Sequence, residues 1–156
     1  IMDAMGTVLE TPAATIIHPG DWMIEHNPVG RNEIEYRHLT KLKKPTVLML
    51  ESLGAVNSKK PVTEEQMLNN LYKLIDSAQG RTIIATFSSQ LQRIKQILEH
   101  ASKTGKKVAL DGFSIKLNVE IAKKLGYIKL TKGIIIPINK ISDYPENKII
   151  IICTGS

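Results

Sequence analysis

The chain predicts an α/β fold, a mostly parallel sheet with helices on both faces, preceded by an antiparallel β-hairpin. Three observations predict it. From Pro45 onward, short β-branched apolar runs alternate with longer amphipathic runs, a spacing that calls for right-handed crossovers between parallel strands. The amphipathic runs are bracketed by capping and glycine signals. The 156 residues suffice for one domain that buries roughly two thirds of its unfolded surface without disulfide staples.

In chain order, Thr7 to Glu10 and Ala14 to His18 are short β-prone runs flanking Thr11-Pro12, the pattern of a hairpin. Pro19-Gly20-Asp21-Trp22 and Asn27-Pro28-Val29-Gly30 are turn chemistry, and the polar stretch Arg31 to Lys44 reads as a connector with a short helix. A boundary is therefore expected between residues 1–44 and 45–156. The second region opens with a strand from Thr46 to Leu50, then a helix from Thr63 to Ala78 whose start, Thr63-Glu64-Glu65-Gln66, is a capping box. A strand from Thr82 to Phe87 and a helix from Ser89 to Thr104 follow, the helix ending at Gly105. The alternation continues with a strand at Lys107 to Leu110, a helix at Ser114 to Leu125 and a strand at Gly133 to Ile136. A short helical piece from Pro137 to Ser142 and a last strand, Lys148 to Cys153, complete it.

Composition narrows the functional classes. The single cysteine, Cys153, lies in an apolar run, where a thiol behaves as a small hydrophobe, and a reducing, cytoplasmic setting is the expectation. No apolar run approaches the ~20 residues that span a bilayer, and Ile1 to Gly6 lacks the basic and apolar regions of a signal peptide. The net charge of +6 attracts polyanions, although the lysines are spread along the whole chain. Aromatic residues make up only 4%, few for a dedicated single-strand binder.

No Walker sequence and no Gly-x-Gly-x-x-Gly is present, which removes the main support for triphosphate or dinucleotide binding. The informative positions are the turns after the strands, because open parallel sheets bind ligands beyond the carboxyl ends of their strands. These turns are Glu51-Ser52-Leu53-Gly54-Ala55, Ser88-Ser89, Asp111-Gly112-Phe113-Ser114 and Thr154-Gly155-Ser156, all small, hydroxylic, acidic or glycine. Ser88 and Ser89 either cap the following helix or join its free N–H groups in holding an anionic oxygen. Asp21, directly after an apolar strand, is either a turn aspartate or a carboxylate that bridges two cations. Glu51 either caps its loop or orients a ligand histidine. The histidines His18, His26, His38 and His100 form no metal-binding pair by spacing.

Five segments in order resemble ribonuclease J, a nuclease of the metallo-β-lactamase fold with an inserted, Rossmann-like β-CASP domain. They are Ile1 to Gly6, Ile17-His18-Pro19-Gly20-Asp21-Trp22, Glu51 to Asn57, Gly80 to Ser89 and Ile151 to Ser156. The resemblance covers essentially the whole chain. It implies that residues 1–44 are the C-terminal part of the first metallo-β-lactamase segment with a connector, and that 45–156 are a β-CASP domain incomplete at its C-terminal end. It also implies hydrolysis of RNA phosphodiesters, 5′→3′ exonucleolytic with endonuclease activity, at two Zn2+ ions, with Mn2+ or Mg2+ as alternatives. Asp21 matches the metal-bridging aspartate and Glu51 the acidic residue that opens the insert. Ser52, Ser88, Ser89, Ser114, Thr154, Gly155 and Ser156 fall in loops that face the RNA backbone or a 5′-monophosphate. A homodimer or homotetramer in the cytoplasm is implied as well.

The sequence departs from the family at Pro19, usually Thr, and at Ser52-Leu53-Gly54-Ala55, usually Ser-Thr-Asn-Ala. The histidine-rich first metal motif, His-x-His-x-Asp-His, is not in this sequence. The expectation is therefore a fragment of a larger enzyme, inactive alone because one carboxylate does not retain two metals. Two other readings compete: a non-catalytic RNA- or phosphate-binding module, and a metallo-β-lactamase-fold hydrolase of small esters. Lys106 and Lys107 are expected to separate these, their substitution slowing RNA processing but not ester turnover.

Overall fold

A computed structural model of the chain describes residues 5–21, 29, 37, 39–42, 45–56 and 62–154. These form two compact units that part between Met67 and Leu68. In the first, β1 (Thr7–Glu10) and β2 (Thr15–His18) make the expected hairpin, with Thr7 opposite His18 and Glu10 opposite Thr15. Its turn is closed by Thr11, whose N–H and hydroxyl both donate to the Ala14 carbonyl, while its Oγ1 accepts from the Ala14 N–H at 2.9 Å.

The strand expected at Thr46 to Leu50 is present as β3 (Thr46–Leu48), but it does not open the larger parallel sheet. It pairs in parallel with β2, Ile17 opposite Leu48, in a separate sheet of order β1-β2-β3. Periodicity identifies a strand; it carries no information about its partner. Of the connector, a 3-10 turn at Leu39–Lys41 is described.

The helix α1 (Glu64–Ser77) begins at the capping box read in the sequence: Thr63 Oγ1 accepts from the Gln66 N–H, and Gln66 Oε1 from the Thr63 N–H, both at 3.2 Å. The second unit then runs through β4 (Thr82–Ala85), α2 (Leu91–Lys103), β5 (Lys107–Asp111), α3 (Phe113–Lys124), β6 (Ile135–Ile136) and β7 (Ile149–Cys153). Its four strands are all parallel, in the order β4-β7-β5-β6. The chain steps from β4 past the future place of β7 to β5, then to β6, so right-handed crossovers put α2 and α3 on one face. The return from β6 to β7 runs the other way and crosses the opposite face, where the 3-10 segment Ile138–Asp143 lies.

The burial pattern follows that topology. Val108, Leu110, Ile150 and Ile152 meet Ile75 of α1, Ile94, Ile97 and Leu98 of α2, and Ile115 and Val119 of α3. On the other face Ala109, Ile136 and Ile149 pack under Ile141 and Tyr144. The central strand β7 is an unbroken Ile-Ile-Ile-Ile-Cys run because both its faces are covered. An αL glycine ends α2: Gly105 has φ 67°, and the following Lys106 N–H donates back to the Ala101 carbonyl. A polar seam ties α1 to α2. His100 Nε2 is 2.8 Å from Asp76 Oδ1, the His100 ring stacks on Tyr72 at 4.1 Å, and the Tyr72 hydroxyl donates to the Gln96 carbonyl. Burial, and then the Glu99 carboxylate, push the Tyr72 hydroxyl above the ordinary tyrosine range.

Candidate phosphate site at the carboxyl edge of the parallel sheet

Because β4, β7 and β5 are parallel and adjacent, their carboxyl ends lie side by side, with Ala85, Cys153 and Asp111 in register. Beyond them stand two of the turns singled out in the sequence, with Thr154 of a third. After β4, the Thr86 N–H extends the ladder to the Cys153 carbonyl, and the Gln90 N–H closes the turn onto the Phe87 carbonyl at 3.0 Å. The helix α2 is capped at Gln90 with no side-chain hydrogen bond, so Ser88 and Ser89 occupy the turn in front of it rather than the N-cap position. After β5, Gly112 has φ 109°, a conformation side chains resist, and caps α3 without a side-chain bond. A Cβ at Gly112 would lie 2.9 Å from Thr154 Oγ1, so this turn and the end of β7 are in close approach. Asn118 of α3 donates to the Ser88 carbonyl at 3.0 Å and ties the β4–α2 turn to α3.

Ser88, Ser89, Ser114 and Thr154 are thus brought to one edge. Gly155 and Ser156 lie outside the described residues.

The N-termini of α2 and α3 differ from that of α1 in a physically directed way. The first turn of α1 carries Glu64 and Glu65, the usual complement to the positive end of a helix dipole, and its N–H groups are engaged by a capping box. The first turns of α2 and α3 carry no acid and no side-chain cap. They carry Arg93, the third residue of α2, and Lys116, the fourth of α3. The Arg93 Nε is shielded from solvent without a hydrogen-bond partner. Two uncapped helix ends, flanking hydroxyls and basic first turns are the chemistry that receives an anion. Asp111, exposed at the end of β5, is the acidic residue in these turns. Arg93 and Asn118 are not legible as site residues in the sequence, and Gly112 is legible only as one member of its turn. Arg93 is the fifth residue of the helix expected from Ser89, Asn118 reads as a polar surface position, and the constraint on Gly112 comes from Thr154, 42 positions away by their numbers.

Lys106 and Lys107 correct the sequence expectation. They stand at the start of β5, the opposite edge of the sheet, and both are engaged within the fold. Lys106 is 6% exposed and its Nζ donates to the Asn147 carbonyl. Lys107 Nζ donates to the Gly133 carbonyl at 2.7 Å and lies 5.7 Å from the centre of the Tyr144 ring. Substituting them would disturb packing, so they do not separate RNA processing from ester turnover.

Asp21, Glu51 and Ser52 belong to the first unit. Asp21 follows β2 and Glu51 follows β3, both exposed, at the same end of that parallel pair. Glu51 Oε2 accepts from the Leu53 N–H at 3.0 Å, and the Ser52 carbonyl accepts from the Ala55 N–H, closing the next turn. Among the described residues no three His, Cys, Asp or Glu side chains converge on a point where a metal ion could sit. Asp21 alone does not make a metal centre. No helix among them is long and apolar enough to cross a membrane.

An open parallel sheet with its polar turns gathered at the carboxyl edge defines the class: an α/β domain of the kind that binds ligands at that edge. Comparison with known proteins then gives the family. Residues 79–156 match the family model for the β-CASP domain of ribonuclease J. Ribonuclease J of Helicobacter pylori is 36% identical over 159 aligned positions, which take in all of this chain and 23% of that protein. Ribonuclease J of Mycoplasma genitalium is 32% identical over all of this chain and 28% of its own length. Ribonuclease J 2 of Staphylococcus aureus is 29% identical over 99% of this chain and 28% of its own. The chain belongs to the ribonuclease J family and carries its β-CASP domain, and it spans about a quarter of the length of these relatives.

Proposed function

We propose that this chain is part of a ribonuclease that hydrolyses RNA phosphodiesters, and that the carboxyl edge of its parallel sheet holds a phosphate of the RNA. The observation that carries the reading is the contrast among helix starts. The helix α1 is capped and acidic, while α2 and α3, which open onto the edge, are uncapped, free of acid and basic in their first turns. The first-turn N–H groups there donate to phosphate oxygens, the Ser88, Ser89 and Ser114 hydroxyls add donors, and Thr154 closes the side formed by β7. Arg93 and Lys116 supply the positive field.

The finer proposal is 5′→3′ exonucleolytic attack with endonuclease activity, on RNA whose 5′-monophosphate occupies this edge. Asp21 would be one metal-bridging carboxylate for two zinc ions, or for Mn2+ or Mg2+, with the other ligands supplied by residues outside those described. Dimeric or tetrameric assembly and a cytoplasmic setting complete the proposal.

The test is cleavage of end-labelled RNA by the full-length protein. The proposal expects loss from the 5′ end, faster on a 5′-monophosphate than on a 5′-hydroxyl. Ser88→Ala combined with Ser114→Ala should erase that preference, and Asp21→Ala should abolish turnover while RNA binding persists. Binding without cleavage by folded, metal-supplied protein would make this a binding module instead.

A further inference from the structure

Resting on the proposed RNA-phosphate reading, we infer that Phe87 and Phe113 are stacking platforms for nucleobases on either side of the held phosphate. The chain contains two phenylalanines in all. Its core is built from isoleucine, leucine, valine and alanine, and both phenylalanines lie outside it, 73% and 81% exposed. Both residues attach to the chain just beyond the same edge of the sheet. Ala85 and Asp111 are in register through Cys153, and each phenylalanine follows its strand's last residue by two positions.

The strand β7 separates the two, so their attachment points are two strand spacings apart, about 10 Å. Between their strands lies the end of β7 with Thr154, and each phenylalanine stands at or just before the start of a helix, Phe113 opening α3 and Phe87 preceding α2. Phe87 directly precedes Ser88, in a turn fixed by the bond from the Gln90 N–H to the Phe87 carbonyl. Phe113 is flanked by Gly112 and Ser114 at the first turn of α3. A phosphate held at this edge therefore has an exposed aromatic residue in the turn after each of the two strands that flank β7. Stacking tolerates any base, because every base has a π-face, and it adds affinity without sequence readout.

The test uses the full-length protein and a 5′-phosphorylated 2′-O-methyl oligonucleotide, which resists cleavage, alongside the same oligonucleotide made abasic at its first two positions. Fluorescence anisotropy measures binding of each. The wild type should bind the base-bearing form at least about tenfold more tightly. Phe87→Leu and Phe113→Leu should each remove most of that preference while leaving the abasic form bound as before, and Phe113→Trp should keep it. Circular dichroism would establish that the leucine variants are folded. Wild-type preference in both leucine variants would overturn stacking and leave the phosphate site standing. Failure of the wild type to bind either oligonucleotide would overturn both.

Discussion

The two units use similar strand residues and bury them very differently. In the unit from Leu68 onward, Val108, Ala109, Ile150 and Ile152 are fully enclosed, with helices α1 to α3 on one face and Ile141 and Tyr144 on the other. In the three-stranded sheet every residue of β1 and β3 is exposed, Val8, Leu9, Val47 and Leu48 among them, and only Thr15 and Ile17 of β2 are buried. The α/β unit carries its covering helices within its own crossovers, so its core closes locally. The smaller sheet has no such cover among the described residues, and three strands are near the minimum for independent stability. The candidate positions divide likewise: the turns with Ser88, Ser89 and Ser114 sit on the closed sheet, whereas Asp21 and Glu51 sit at the end of the exposed one.

Core truncation should break the comparison most visibly. Ile150→Ala in the closed sheet is expected to lower stability by about 2–5 kcal/mol, and Leu48→Ala in the open sheet by less than about 0.5 kcal/mol, as read from urea denaturation. Next in size, Gly112→Ala should cost about 1–3 kcal/mol through its positive φ and the approach of Thr154 Oγ1, and should weaken nucleotide binding at the same time.

The contrast between helix starts gives a smaller and sharper test. Thr63→Ala removes the capping box and should cost about 1 kcal/mol. Ser88→Ala should leave thermal stability nearly unchanged while weakening binding of a 5′-phosphorylated nucleotide. The smallest effect concerns the α1–α2 seam. Tyr72 ionises at a higher pH folded than unfolded, so its contribution is whole below about pH 10 and is lost as pH rises through the folded value. Tyr72→Phe should flatten that alkaline decline, measured by denaturation across the range.

Much of the closed unit was legible because its signals are local. Strand, helix and glycine stop recur within each crossover, and the Thr63 capping box forms as written. The deviations have physical causes. Phe87, apolar, reads as the end of a strand, yet β4 stops at Ala85 and Phe87 starts the turn that Gln90 closes. The helix expected at Ser89 begins at Leu91. The partner of β3 was illegible because its pairing with β2 spans residues 15 to 48, across which periodicity is silent. Adjacent charges misled in the same way, since Lys106 and Lys107 look like a patch in sequence but spend their amino groups on carbonyls at the opposite edge. An aromatic fraction of 4% likewise says nothing of where the rings stand.

Hydrogen exchange of the full-length protein, compared with and without a 5′-phosphorylated oligonucleotide, tests the central claim most directly. Added protection at residues 86–93 and 112–117, with none at Lys106 and Lys107, is the predicted result. Protection confined to the amino edge of the sheet, or absent from both helix starts, would contradict it.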